Sequence, residues 1–269
     1  AIPSFTLSYI MQVAEYYRYT KDEETVEFCF DTVKRIIDTF ISRIDESGLI
    51  PNFDEKKKYW NFYEWQPYLN GENNQGKVYD MCLNAVLSLV LSCFVEICSA
   101  LGIESSSYRL IKECLNISIA REFYDERVGL FTIYKGQEAK VYSVLANAFG
   151  CLCGAAEHLN KDKMLQIILR NGLKEEGIDV IPATLSMHTF RYDVLLKEDR
   201  DFYKDYAEGR EDILRFPDGK LPQDKRQIVD IILDSTNDID TVTLSKYSRK
   251  IDNIWINTYR SEEPKENKL

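Results

Sequence analysis

Tyr59-Trp60-Asn61-Phe62-Tyr63-Glu64-Trp65-Gln66-Pro67-Tyr68-Leu69 sets aromatic rings around one carboxylate, in a segment with neither helical nor strand periodicity. That chemistry suits a saccharide, because the C–H faces of a sugar ring stack on indole while its hydroxyls require fixed hydrogen-bond partners. A second reading uses the same rings for buried area alone, with Trp60, Phe62 and Trp65 plugging helix ends ahead of Pro67. Glu64 stands between Tyr63 and Trp65. In a hollow lined by those rings its carboxyl would titrate high, as a proton donor requires; it would equally accept from a ligand hydroxyl or anchor a neighbouring loop's backbone. Ligand binding is the reading taken, because one lone acid does not complete the two-carboxylate arrangement of glycoside hydrolysis.

Trp60 and Trp65 form either a stacking wall or a core plug. Asn147, among Leu145, Ala146 and Ala148, costs helix propensity and must find a partner if buried, which places it toward a cavity. The candidate saccharide-binding set is therefore Trp60, Glu64, Trp65 and Asn147, and no catalytic residue is nominated. His188 reads as a structural histidine, His158 as a helix C-terminal cap, and Arg191 with Asp193 as a surface pair.

The helices that must position these groups are legible from apolar spacing. Leu7, Ile10, Met11, Ala14 and Tyr17 recur at three and four residues, and Asp22 then caps a run carrying Val26, Phe30, Val33, Ile37 and Phe40. Further helices are expected over Val78–Leu101, ending at Gly102, and over Ser105–Phe123, Ala139–His158, Lys161–Asn171 and Ala183–Leu196, with almost no strand. An internal echo supports a repeated unit: Asp45-Glu46-Ser47-Gly48-Leu49-Ile50 and Asp125-Glu126-Arg127-Val128-Gly129-Leu130-Phe131 place their glycines 81 residues apart. In each, a glycine turns the chain out of a helix and an apolar residue tucks back. Helical hairpins repeating with loops of varied length indicate an all-α solenoid or toroid, with functional loops gathered at one end.

Composition narrows the partners. The chain has 269 residues, a formal charge of −10 and a pI near 4.9, which disfavours nucleic acid and anionic membranes and fits a neutral ligand. The 45% hydrophobic content is ample for a packed core. Ala85–Leu101, the longest apolar stretch, is interrupted by Ser88, Ser92 and Glu96, which argues against a membrane span, and no signal peptide opens the chain. Seven cysteines, an odd number lying mostly in apolar helical runs, read as free buried thiols in a reducing, cytoplasmic setting. Cys151-Leu152-Cys153 lacks metal-site or redox-pair spacing and there are two histidines, so neither a metal nor a cofactor is expected.

With these segments placed, residues 1–196 resemble part of the catalytic domain of glycoside hydrolase family 78, the α-L-rhamnosidases, an (α/α)6 toroid of six helical hairpins. The resemblance rests on Ile2-Pro3-Ser4-Phe5-Thr6-Leu7 followed by Glu15-Tyr16-Tyr17 and Tyr19-Thr20-Lys21-Asp22. It rests also on Gly48-Leu49-Ile50 leading to Trp60-Asn61-Phe62-Tyr63-Glu64-Trp65, and on Leu145-Ala146-Asn147-Ala148 after Gly129-Leu130-Phe131. It implies hydrolysis of a terminal α-L-rhamnoside with inversion, which needs an acid and a base roughly 6.5–9.5 Å apart. In the family, an acidic segment containing Arg and Trp would precede Ile2, and a Gly-Ala-Thr-x-Phe-Trp-Glu-type segment would follow Ile251-Asp252-Asn253-Ile254-Trp255. Here Ile256-Asn257-Thr258-Tyr259 stands instead.

The expectation is an incomplete toroid lacking both catalytic carboxylates, either a piece of a longer enzyme or a non-catalytic carbohydrate-binding relative. A helical interaction scaffold using the aromatic loop is the third reading. Residues 197–269 form a divergent C-terminal part of the same domain, with helices at Gln227–Leu233 and Leu244–Ile256, Glu262 and Glu263 on a solvated surface, and a frayed tail. A partial ring leaves apolar helix faces uncovered, and a homodimer across the gap is expected.

Overall fold

The three- and four-residue apolar spacing near the start becomes helix α1 (Pro3–Thr20), which carries proline in its first turn, where the missing N–H costs nothing, and buries Leu7, Ile10, Val13 and Ala14. In this computed structural model, residues 1–53, 58–72, 78–136, 140–175 and 178–198 are described. They lie in the first of two units, Ala1–Arg200 and Asp201–Leu269. The expectations for Gln227–Leu233, Leu244–Ile256, Glu262, Glu263 and the tail fall outside the described residues.

Lys21, at φ 56°, turns the chain out of α1, and its N–H donates to the Tyr17 carbonyl at 2.9 Å. Helix α2 (Glu23–Ile41) follows at once, with Asp22 accepting from the Thr25 N–H at 3.1 Å. Helix α3 (Met81–Ala100) is capped by Asp80, and α4 (Ser106–Phe123) returns after Gly102. Helix α5 (Val144–Cys153) is capped by Ser143, and α6 (Asp162–Arg170) ends at Asn171 in the left-handed region. A short 3₁₀ turn (Leu185–Met187) leads into α7 (His188–Glu198).

Contacts between elements set the layers. Helices α1, α3, α5 and α7 are successive neighbours in an inner row, while α2, α4 and α6 pack outside it. α3 is buried along most of its length. It is long and apolar enough by composition to cross a membrane, yet it packs against α1, α2, α4 and α5 as a core helix. The outer α2 instead buries one stripe, Val26, Val33, Ile37 and Phe40, each worth about 1.5–3 kcal/mol of apolar transfer. The described residues thus form an all-α arc of three hairpins and the first helix of a fourth, in line with the expected fold class.

Several local expectations need correcting. α5 begins at Val144, not Ala139, because Tyr142–Ser143 is strand β3 in a three-stranded sheet with β4 (Leu173–Glu175) and β5 (Ile178–Ile181), in the order β3-β5-β4. A second pair, β1 (Tyr124–Asp125) with β2 (Leu130–Phe131), is antiparallel. These strands span two to four residues, too few for alternation to register. Gly154, at φ 95°, ends α5, so His158 lies exposed beyond the helix and does not cap it. All seven cysteines are free, but only five are buried: Cys29 is half-buried and Cys114 exposed.

The sequence echo is the trace of a full structural repeat. Asp45 and Asp125 each accept from a loop amide, Ser47 N–H at 2.9 Å and Arg127 N–H at 3.2 Å, and each also accepts from a tyrosine just before an inner-helix cap. Those tyrosines are Tyr79, at 2.5 Å, and Tyr142, at 2.8 Å. Bridges Pro51↔Tyr79 and Thr132↔Tyr142 correspond as well. Asn84 then accepts from Ile50 N–H at 2.8 Å and donates to Ile50 O at 3.0 Å. Asn147 does the same with Phe131, at 2.9 and 3.2 Å. Each amide makes a further bond to the carbonyl four residues earlier, Asp80 O at 2.9 Å and Ser143 O at 2.8 Å.

Removing such a clasp orphans a buried N–H and a buried C=O, at about 1–3 kcal/mol each. Asn147→Asp keeps the acceptor but loses both donated bonds, so urea denaturation is expected to show a loss of about 3 kcal/mol or more, with Asn84→Asp alike. A wild-type midpoint in either variant would contradict the clasp.

Candidate functional site

The two repeats differ most in the loop between their Gly-Leu turn and the next inner helix, residues 51–78 in the first against 132–141 in the second. The aromatic segment lies in the longer one. It is tied down by backbone and polar contacts: Trp60 N–H donates to Ala1 O at 2.9 Å, Ser4 Oγ to Phe62 O at 2.5 Å, and Asn61 pairs with both backbone groups of Phe53. Tyr63 and Glu64 N–H groups share Leu69 O, and the Tyr134 hydroxyl donates to Tyr68 O. Gly71 is required by the packing, since a Cβ there would lie 2.4 Å from the Trp60 ring.

The rings are split between interior and surface. Phe62 is buried, and around it Trp60 (4.6 Å between centroids), Trp65 (4.8 Å) and Phe5 (6.0 Å) are packed. Trp65 is 72% exposed and Trp60 38% exposed, with the Trp60 Nε1–H donating to Asn70 O at 2.7 Å. Phe62 plugs the interior, while the two indoles present an edge-to-face pair to solvent.

Glu64 is buried, 1% exposed. Its Oε2 accepts from the Thr184 backbone N–H at 2.7 Å and the Thr184 hydroxyl at 2.8 Å, while Oε1 has no hydrogen-bond partner among the described residues. Burial pushes its carboxyl up to about 7, against the lowering effect of the two Thr184 bonds. Asp80 and Cys82, at the start of α3, lie in the same buried region: burial raises the Cys82 thiol, and the Asp80 and Glu64 carboxylates add to it. Burial likewise raises Tyr63, followed by the charge of Asp80.

Of the nominated residues, Trp60 and Trp65 come together at the surface, Glu64 turns inward to Thr184, and Asn147 joins neither. Asn147 is fully buried with its amide committed to Phe131 and Ser143, which leaves it no hydrogen for a ligand. Arg191 is buried, not on the surface: its guanidinium donates to Ile168 O and Leu169 O and so caps α6. His188 packs edge-on to Tyr192, with Nε2 3.4 Å from Asn171 Nδ2.

Thr184, Asp80 and Asn171 escape nomination from sequence. Thr184 carries a usable signal, a threonine just ahead of a helical run, but nothing in the sequence pairs it with Glu64. Asn171 pairs with both backbone groups of Ala183, at 2.9 and 3.0 Å, and thereby places Thr184. A hollow of about 400 Å³ adjoins this segment, lined by Arg170, Asn171, Gly172, Leu173, Val180 and Pro182.

No protein-family model and no curated protein sequence matches the chain. Among solved structures it is similar to a GH78-family rhamnosidase of Bacillus sp. GL1, with a TM-score of 0.63 at 20% identity over 80% of this chain. The match spans 22% of that enzyme's length. At this identity the likeness establishes the fold: helical hairpins arranged as in a glycoside hydrolase domain.

Glu64 gives a signed prediction for stability. Its carboxyl titrates near 7 in the fold against an ordinary 4.5, so the folded state binds the proton more tightly and stability falls as pH rises from about 4.5 to 7. The loss amounts to about 3 kcal/mol and levels off above that window. Glu64→Gln keeps an acceptor for Thr184 and is expected to flatten the profile, leaving the variant more stable than wild type at pH 8. Parallel denaturation profiles for the two proteins would contradict this.

Proposed function

We propose that this chain is a helical-hairpin portion of a glycoside hydrolase of the α-L-rhamnosidase type, and that its loop 58–72 supplies part of a saccharide-contacting wall. The observation that carries the reading is the pair of solvent-facing indoles, Trp60 and Trp65, seated on buried Phe62 in the longer of two repeated loops of a glycosidase-like fold. Indole faces match the apolar face of a 6-deoxy sugar, which has a methyl group where other hexoses carry a hydroxymethyl.

The chain's part in the chemistry is to bind rather than cleave. A two-carboxylate mechanism needs both groups to reach the glycosidic bond, and the buried carboxylates among the described residues, Glu64, Asp80 and Asp125, are closed off from solvent. Calorimetry with L-rhamnose and an aryl α-L-rhamnoside is expected to show binding in the millimolar range while the aryl glycoside is not turned over. Trp65→Ala is expected to weaken binding about two- to tenfold, since a stacked aromatic contributes about 0.5–1.5 kcal/mol. Equal affinity in Trp65→Ala, or no heat with any saccharide, would overturn the reading.

A further inference from the structure

Glu64 presents a geometric conflict. Its Oε2 is doubly held, yet Oε1 is dry and without a hydrogen-bond partner among the described residues, and no described cation pairs with it. The group that holds it belongs to a surface segment: Pro182 and Ser186 are exposed and Leu185 is half exposed, so a thin strip of chain separates a buried carboxyl from water. That strip is anchored on one side by the Asn171–Ala183 clasp and continues into the 3₁₀ turn and α7 on the other.

We propose that the Glu64–Thr184 contact is a releasable latch, in which the segment Pro182–Met187 closes over protonated Glu64 and lifts when the proton leaves to bulk water, presenting the carboxylate at the foot of the aromatic loop. The physical basis is linkage. A closed state that leaves one carboxyl oxygen dry favours the neutral acid, and an open state lets water solvate the anion, so deprotonation shifts the balance toward opening. A carboxyl titrating near 7 when closed and near 4.5 when solvated raises the opening equilibrium about tenfold per pH unit across that interval, to a limit of about 300-fold.

Other groups at this end bear on the pH response. Asp80 and Cys82 come from the start of α3, Tyr63 from the loop itself, and Tyr134 from the segment after Phe131. Burial holds the Cys82 thiol and both tyrosine hydroxyls well above neutral pH. His188 follows the strip and approaches Asn171, and an imidazole ordinarily titrates in this range, so the test must separate it from Glu64.

In its consequence for saccharide binding the latch rests on the proposed function, but its operation is read without any ligand. Amide hydrogen exchange of the whole chain between pH 5 and 8, corrected for intrinsic rates, is expected to show protection of residues 183–187 falling about tenfold per unit up to pH 7 and then levelling. α3 serves as the internal reference: its exchange follows global unfolding, so its protection should decline with the stability yet stay far above that of the strip at every pH. Glu64→Gln should remove the dependence, and Thr184→Val, which loses the hydroxyl donor, should raise exchange in the strip at every pH. Flat protection in wild type, an unchanged slope in Glu64→Gln, or strip protection no lower than that of α3 would each overturn the latch. A flat wild-type profile overturns the latch by itself even if a variant does not fold. A working latch with no saccharide heat would overturn the proposed function alone.

Discussion

An asparagine side chain that pairs with both the N–H and the C=O of one backbone residue is the interaction that holds this end of the molecule together. Asn61 holds Phe53, Asn84 holds Ile50, Asn147 holds Phe131 and Asn171 holds Ala183. Where an arc of helices turns its loops inward, backbone groups are buried without a strand alongside to satisfy them. A carboxamide carries a donor and an acceptor much as a peptide does, and so stands in for the missing strand. A carboxylate offers no donor, and a hydroxyl offers donor and acceptor from a single atom rather than side by side.

The repeated clasp explains why one fold tolerates loops of such different length. In both repeats the fixed points are the Gly-Leu turn, the tyrosine bonded to the helix-end aspartate, the capped inner helix and its asparagine. What lies between is free to lengthen, since loop closure grows only slowly with length. The first repeat uses that freedom to carry the aromatic segment, with Asn61 and Ser4 returning it to the scaffold so that Trp60 and Trp65 sit on a pinned base. Asn171 does the same for the strip that bears Thr184. Glu64 is therefore held between two clasped segments, 120 residues apart in sequence from its partner.

Much of the helical framework is legible in the sequence because it obeys local rules. The Asp22 cap and the α2 stripe of Val26, Val33, Ile37 and Phe40 follow from spacing alone, and the Asp-Glu-Gly-Leu echo marks the repeat without knowledge of any contact. Asn147 misleads because its cost to helix propensity is visible while its partner, Phe131, is not: sequence reveals that a buried amide must be satisfied, not by what. The same limit applies to Arg191, whose donors close α6 from another helix, and to Thr184, whose bond to Glu64 crosses most of the described chain. Strands of two to four residues leave no periodic trace, which is why β3, β4 and β5 escape a reading by alternation.

The clasps themselves can be observed by ¹⁵N NMR of the side-chain amides of Asn61, Asn84, Asn147 and Asn171. Four slowly exchanging NH₂ pairs are expected, each with a cross-relaxation peak to the backbone amide proton of Phe53, Ile50, Phe131 or Ala183 respectively. Averaged, rapidly exchanging side-chain signals at Asn84 and Asn147 would contradict the clasp as the organising contact of the fold.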